Sequence, residues 1–276
     1  MASFVPSLSA RNALIVAALI ILSFGLMPFQ WTLNAYLVIG QAHLVLTLVH
    51  HGRTGKVTPQ YVLVGLVALL IASAYFFWWG GLIPLLLFTA FIFAAHFIYG
   101  EFKLRGESIA AAQWCTFLGA LAVLWSLVAG TVLSEEVLLT TLFCVGVMLI
   151  LARTLFMRPH WTDGERYLLI VVVLSMVVAS ILGAPGNIFG ALIVLHVFNW
   201  TMYGGTYAHM KGTSLRYWGE TVAVTIATIA LFIAYTTYTV DTLKYVFLPA
   251  YYYAWSLGHI MLTMRLPQLK RLAAWG

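Results

Sequence analysis

The sequence predicts an all-α fold, namely a polytopic membrane helix bundle of about ten transmembrane helices arranged as five hairpins. Hydrophobic residues make up 63% of the chain and charged residues 8%, whereas a soluble domain carries roughly 25% charged residues. The apolar residues fall in runs of about 17–22, long enough to cross a hydrocarbon core about 30 Å thick. These runs lack the alternation of β-strands, and backbone amides inside a bilayer need local partners, so we interpret them as helices.

The helices are predicted in pairs, because every second connection between them is short and carries turn-forming or acidic residues. The connections between pairs are longer and basic. The connections are 28–30, 80–81, 131–136, 184–187 and 240–244. In chain order, the predicted hairpins are 12–28 with 31–50, 61–79 with 82–100, 109–130 with 137–156, 167–183 with 188–204, and 219–239 with 245–264.

The first run follows Arg11 and resembles a signal peptide, but no small-residue cleavage site follows it. We therefore interpret it as a retained helix. No stretch resembles a linker or a soluble appendage, so residues 1–276 are predicted to form a single transmembrane domain.

The basic residues predict the orientation of the bundle. All Lys and Arg residues except Lys244 lie outside the short connections, at the chain ends or between hairpins. Short basic loops stay on the cytoplasmic side, so both termini are predicted to be cytoplasmic, in a cell inner (plasma) membrane. The net charge of +6 is spread over these loops. This distribution is typical of helix flanks and excludes a nucleic-acid partner, and the expected partner is the lipid bilayer.

Four of the eight histidines lie inside predicted spans that run toward the cytoplasm. They are His43, His96, His196 and His259. Each lies about 4–8 residues from the cytoplasmic end of its helix. At a rise of 1.5 Å per residue, the depths of the four histidines along the helix axes differ by roughly 6 Å at most. The sequence therefore predicts four imidazoles, one per helix, near one plane in the inner half of the bilayer.

This arrangement favours a metal site, because neutral imidazole binds divalent iron, copper, zinc and nickel, and an apolar site favours the neutral form. Two further residues are predicted to orient a ligand histidine or to transfer protons: Glu101, five residues after His96, and His50, seven residues after His43. No catalytic residue is assigned. Alternatives remain open: each histidine could hydrogen-bond a neighbouring helix, or two could be axial ligands of haem.

Four short motifs surround these histidines: Gln41-Ala42-His43-Leu44, Ala95-His96-Phe97-Ile98, Val194-Leu195-His196-Val197 and Gly258-His259-Ile260-Met261. In these motifs the chain resembles the Brp/Blh family of membrane β-carotene 15,15'-dioxygenases. The resemblance implies a multi-helix membrane protein with non-haem iron held by the four histidines. The chain differs from the family pattern at Thr47 and Met264, where the family carries acids, and at Trp200, where it carries a second histidine.

The leading hypothesis is a membrane-embedded non-haem iron oxygenase that acts on an apolar lipid or an isoprenoid such as a carotenoid. One alternative is a non-catalytic subunit that binds haem or pigment, or that scaffolds a membrane complex with protein partners or further copies of itself. Another is a proton-coupled or metal-ion transporter, although no matching pair of broken helices marks two halves of the chain.

Overall fold

A computed structural model describes residues 10–53, 81–107, 109, 113–156 and 161–263, together with 63, 66, 67, 70 and 74. Within these residues the chain is helical and contains no β-strand. The predicted span 61–79 lies outside the described residues except for the five single positions, which are helical.

The described helices follow one another with short connections. Their bounds are α1 Ala10–Leu26, α2 Phe29–Arg53, α3 Leu82–Leu104, α4 Gln113–Ala129, α5 Glu136–Phe156, α6 Asp163–Ser180, α7 Gly186–Met210, α8 Ser214–Tyr238, a 3₁₀ turn Asp241–Leu243, α9 Lys244–Phe247 and α10 Pro249–Thr263.

Five stretches of the described chain are long and apolar enough to cross a membrane: Phe29–His50, Ile83–Leu104, Glu136–Phe156, Gly186–Met210 and Ser214–Tyr238. Two shorter apolar helices, Asn12–Leu26 and Gln113–Ala129, accompany them. Helices of this length and composition are typical of a membrane protein.

The last predicted span, 245–264, is interrupted in the structure. α9 ends at Phe247, Leu248 is extended with φ −66° and ψ 132°, and α10 begins at Pro249. The proline ring disfavours the helical conformation for the residue before it, and this explains the interruption.

The described residues form two compact units. The first unit comprises those within Met1–Gly40 and Phe97–Val222, and the second comprises those within Gln41–His96 and Ala223–Gly276. The unit boundaries fall inside α2, α3 and α8, so helix ends and unit ends do not coincide. The prediction of a single domain stays a prediction.

In the first unit α1 packs against α6 and α7, while α4 packs against α5 and α6. The turn after α1 is closed by Asn187 of α7, whose Nδ2 donates to the carbonyl oxygens of Phe24 at 2.8 Å and Met27 at 2.7 Å. Asn187 thereby supplies a donor to the Met27 carbonyl and a second donor to the Phe24 carbonyl, which also accepts from the Met27 backbone N–H at 3.1 Å.

In the second unit a side chain of α2 reaches the interrupted segment before α10. Gln41 Nε2 donates to the carbonyl oxygen of Val246 at 2.5 Å. Trp255 Nε1 of α10 donates to the carbonyl oxygen of Tyr245 at 3.0 Å. These two bonds tie α9 to α2 and to α10.

Candidate histidine site

Three of the predicted ligands, His43, His96 and His259, lie together in the second unit. The ring centroids of His43 and His259 are 5.1 Å apart, and those of His96 and His259 are 6.2 Å apart. The planes cross at 71° and 86°, so the rings meet edge to face. Three helices (α2, α3 and α10) therefore contribute one imidazole each, with the His259 ring in contact with the other two.

Local packing holds these side chains in place. His96 is buried, and His43 and His259 are half-buried. Phe93 on α3 and Ile260 on α10, close to His96 and His259 in sequence, are buried as well. Thr47 Oγ1 donates to the carbonyl oxygen of His43 at 2.9 Å. The Thr47 hydroxyl thus bonds to the backbone of its own helix.

The spacing of the three rings fits a shared metal better than their orientation does. Two imidazoles bound to one metal at about 2.0–2.1 Å hold their centroids about 5–6 Å apart. However, in the described part of the chain no set of three or more His, Cys, Asp or Glu side chains presents its ligand atoms in a geometry that could hold a metal ion.

His196, the fourth predicted ligand, belongs to the first unit. It is buried, and its ring lies 6.2 Å from the ring of Phe97 and 6.2 Å from that of Trp200. Its role as a fourth ligand stays a prediction.

Glu101 is fully buried in the first unit and is paired with a cation. Arg105 Nη1 donates to Glu101 Oε2 at 2.7 Å and to the Glu101 carbonyl oxygen at 2.8 Å. Asn199 Nδ2 of α7 donates to both carboxylate oxygens at 3.0 and 3.1 Å and to Tyr167 Oη at 2.8 Å. The Arg105 guanidinium stacks on the Tyr167 ring at 3.8 Å. The partners of this carboxylate are an arginine and an amide, and its predicted link to a ligand histidine stays a prediction.

The His50 side chain is exposed on α2, in the same unit as His43, and the His209 side chain is exposed near the end of α7. His160 lies outside the described residues, and of His51 only the helical backbone is described.

A second buried charge cluster was missed by the sequence analysis. Glu165, at the start of α6, accepts from Arg153 Nε at 2.9 Å, from Arg153 Nη2 at 3.1 Å and from Thr116 Oγ1 at 2.9 Å. Arg153 is 3% exposed and Glu165 is not exposed. The available signal was a basic residue in the last turn of one apolar helix and an acidic residue in the first turn of the next, which places both at the same end of the bundle.

Thr162 extends this cluster as the N-cap of α6. Its side chain accepts from the Glu165 backbone N–H, and the Glu165 side chain accepts from the Thr162 backbone N–H, which forms a capping box. Glu107 also accepts from Thr162 Oγ1 at 2.7 Å and from the Gly164 backbone N–H at 2.9 Å. Glu165 precedes the predicted span 167–183. Burial raises the pKa of its carboxyl, but the hydrogen bonds from Arg153, Thr162 and Thr116 and the Arg153 charge outweigh burial, so the pKa lies below its ordinary value.

Comparison of the chain with protein-family models, curated proteins and solved structures finds no match. The functional interpretation therefore rests on the residues and their geometry.

Proposed function

We propose that this chain is a membrane-embedded metal enzyme in which His43, His96 and His259 hold one metal ion. The proposed metal is non-haem iron, and the proposed reaction is oxygenation of an apolar lipid or an isoprenoid such as a carotenoid. The observation that carries the proposal is the contact of three imidazoles from three different helices, at ring separations of 5.1 and 6.2 Å.

Several properties of the second unit support a metal rather than simple packing. Each imidazole projects from a helix, and ligands on rigid elements keep their positions. A helix-to-helix hydrogen bond needs one histidine and one partner, whereas here three rings meet. Iron, when bound, would supply the capacity to react with dioxygen. The chain's own residues would hold the site and limit the access of water, because His96 and the nearby Phe93 and Ile260 are buried.

The proposal includes the membrane arrangement expected from the sequence: about ten spans in five hairpins, with both termini cytoplasmic in the plasma membrane. The exposed side chains of α8 support a lipid-facing position for that helix, since Val222, Ile226, Ile229 and Ile233 are all large, apolar and exposed. A substrate dissolved in the bilayer would then reach the protein from the side.

Metal content of the detergent-purified full chain is the test. We expect about one iron per chain by elemental analysis and its loss in each of the variants His43→Ala, His96→Ala and His259→Ala. The matched control is His209→Ala, which removes an exposed imidazole from the first unit and should retain the metal.

Three results would reject the proposal in distinguishable ways. Iron retained in all three variants would exclude these ligands. An intense Soret absorption band would identify a haem subunit in place of the enzyme. A metal-free wild-type chain whose proteoliposomes take up cations would identify a transporter.

A further inference from the structure

The break between α9 and α10 leaves backbone carbonyl groups without their helical donors. In a continuous helix the Tyr245 carbonyl would accept from the backbone N–H four residues further on. The residue at that position is Pro249, which has no N–H. Leu248 is extended, with ψ 132°, so the chain leaves the helical path directly after α9. The carbonyl groups in the last turn of α9 therefore depend on donors from elsewhere.

Two side chains supply such donors, one from α2 and one from α10. Gln41 Nε2 of α2 donates to the Val246 carbonyl oxygen at 2.5 Å. Trp255 Nε1 of α10 donates to the Tyr245 carbonyl oxygen at 3.0 Å. The Gln41 residue is 6% exposed and the Trp255 residue 44% exposed. α9 is thus the middle of a chain of two hydrogen bonds that runs from α2 to α10.

Each donor lies close to a histidine on its own helix. On α2, Gln41 precedes His43 by two residues. On α10, Trp255 precedes His259 by four residues, which is about one helical turn. An N–H···O bond is confined to donor–acceptor distances of about 2.7–3.2 Å, and a carbonyl group that loses its donor inside a bilayer finds no water to replace it. The two bonds therefore resist sliding of α2 against α10 near two rings whose centroids are 5.1 Å apart.

We infer that Gln41 and Trp255 are positioning residues, which act through α9 to hold two of the histidine rings in contact. These rings are those of His43 and His259. Neither bond involves α3, so the contact of His96 with His259 does not depend on them. The inference rests on the proposed function in that both rings are proposed ligands of one metal ion. The ring contact itself is measured without a metal, so each proposal can fail while the other stands.

Nuclear Overhauser spectroscopy of the metal-free full chain in detergent, with isotope-labelled histidine, tests the inference. Wild type should give one cross-peak between ring protons of His43 and His259 and a second between those of His96 and His259, since both ring pairs meet edge to face. The variants His43→Ala and His96→Ala identify the two cross-peaks. Gln41→Leu and Trp255→Phe should each abolish the first cross-peak and keep the second.

The matched control is Gln30→Leu, which makes the same substitution on the same helix. Gln30 Nε2 donates to Asn34 Oδ1 one turn along α2, in an exposed position, so this variant leaves α9 untouched. Both cross-peaks should remain. Should Gln41→Leu fail to fold, Trp255→Phe carries the test, because the Trp255 side chain is partly exposed and phenylalanine keeps an aromatic ring at the same place.

Retention of the first cross-peak in both Gln41→Leu and Trp255→Phe overturns the inference. Loss of both cross-peaks in either variant also contradicts it, because the helices would then loosen together. An iron-free wild-type chain that shows the expected pattern of cross-peaks rejects the proposed function and supports the positioning role.

Discussion

Arg153 and Glu165 are two opposite charges in a buried setting, joined by two hydrogen bonds of 2.9 and 3.1 Å. Removing both ions from water costs free energy, and the attraction between the two charges offsets this desolvation cost. A variant that removes only one of them leaves the other charged and without its partner. This asymmetry makes the pair a sensitive position in the first unit.

We expect Arg153→Leu to lower the free energy of unfolding by about 3–5 kcal/mol, because the Glu165 carboxylate loses two of its donors while it stays buried. Unfolding of the detergent-solubilised chain by titration with a denaturing detergent, followed by circular dichroism, measures the change.

The matched control is Arg216→Leu. Arg216 pairs with Glu220 one turn along α8, and the two side chains are 66% and 23% exposed. An exposed pair of this kind contributes less than about 1 kcal/mol. Equal destabilisation by the two variants would contradict the buried role of Arg153.

The lowered pKa of Glu165 predicts how stability depends on pH. A group whose pKa is lower in the folded chain than in the unfolded chain stabilises the fold fully above its ordinary value of 4.5. This stabilisation is lost as the pH falls through the lower folded value. We expect thermal unfolding to show the loss in wild type and not in Glu165→Gln. Parallel curves for the two proteins below pH 4.5 would contradict the assignment.

At the residue scale the sequence predicted which polar side chains lie inside helices, but not which groups they form hydrogen bonds or ion pairs with. His43, His96 and His259 could be placed at similar depth because helix rise is regular. Arg153 was counted with the basic loops, since position within a helix does not reveal a partner twelve residues away across a turn. Glu101 was predicted to orient a ligand histidine or to transfer protons, and only the fold reveals its hydrogen bonds with Asn199.

Among the helices, α4 and α5 approach closely through a pair of glycines. A Cβ on Gly119 would lie 2.8 Å from the Gly146 carbonyl oxygen, and a Cβ on Gly146 would lie 2.8 Å from the Gly119 carbonyl oxygen. Small residues let helix backbones meet at such distances in membrane proteins. The contact is reciprocal, so neither helix can add a side chain here without moving the other.

We therefore expect Gly146→Ala to lower the free energy of unfolding by about 1–3 kcal/mol through overpacking. Unfolding in a denaturing detergent measures the effect. The control Gly219→Ala adds the same methyl group where nothing lies within 4 Å. It should raise the free energy of unfolding by about 0.5–1 kcal/mol, since alanine leaves the unfolded chain less backbone freedom than glycine does. A neutral result at Gly146 would mean that the two helices can separate freely.

Apolar run length predicted the helices themselves well. Most described helix ends lie within a few residues of the predicted ones, for example 137–156 against Glu136–Phe156. The glycine contact was invisible, because Gly119 and Gly146 lie on different helices and no spacing along the chain links them. The break before Pro249 had a visible signal, yet hydropathy alone carried the predicted span across it.

Considered as a whole, the molecule makes a test of topology possible because its only cysteines are Cys115 and Cys144. In a background with both replaced by serine, Glu135→Cys should react with a membrane-impermeant maleimide from outside intact cells. Thr213→Cys should react only in inside-out vesicles, since the basic connection before α8 is predicted to be cytoplasmic. Both positions are exposed, so burial does not limit the reaction.

The serine background without added cysteine is the control and should not be labelled. Labelling of both positions from the same side of the membrane would contradict the odd number of spans that is predicted between them. Labelling of each from the opposite side would invert the predicted orientation while keeping the hairpins.

At this scale composition and apolar run length were sufficient to predict a helical chain, and five of its described helices are long and apolar enough to cross a membrane. The division into two units could not be predicted. Its boundaries at 40–41, 96–97 and 222–223 fall inside continuous helices, where neither a loop, a proline nor a run of charge marks them.

The hydrogen bond from Gln41 to Val246 has a consequence for the histidines. Gln41 precedes His43 by two residues, and Val246 precedes His259 by thirteen along the segment that leads into α10. The bond therefore fixes the height of α2 against α9, the short helix that leads into α10. Under the proposed function, a substitution at Gln41 would disturb the placement of His43 without touching its ring, so the affinity of the proposed site for its ion would depend on a residue outside the ligand set.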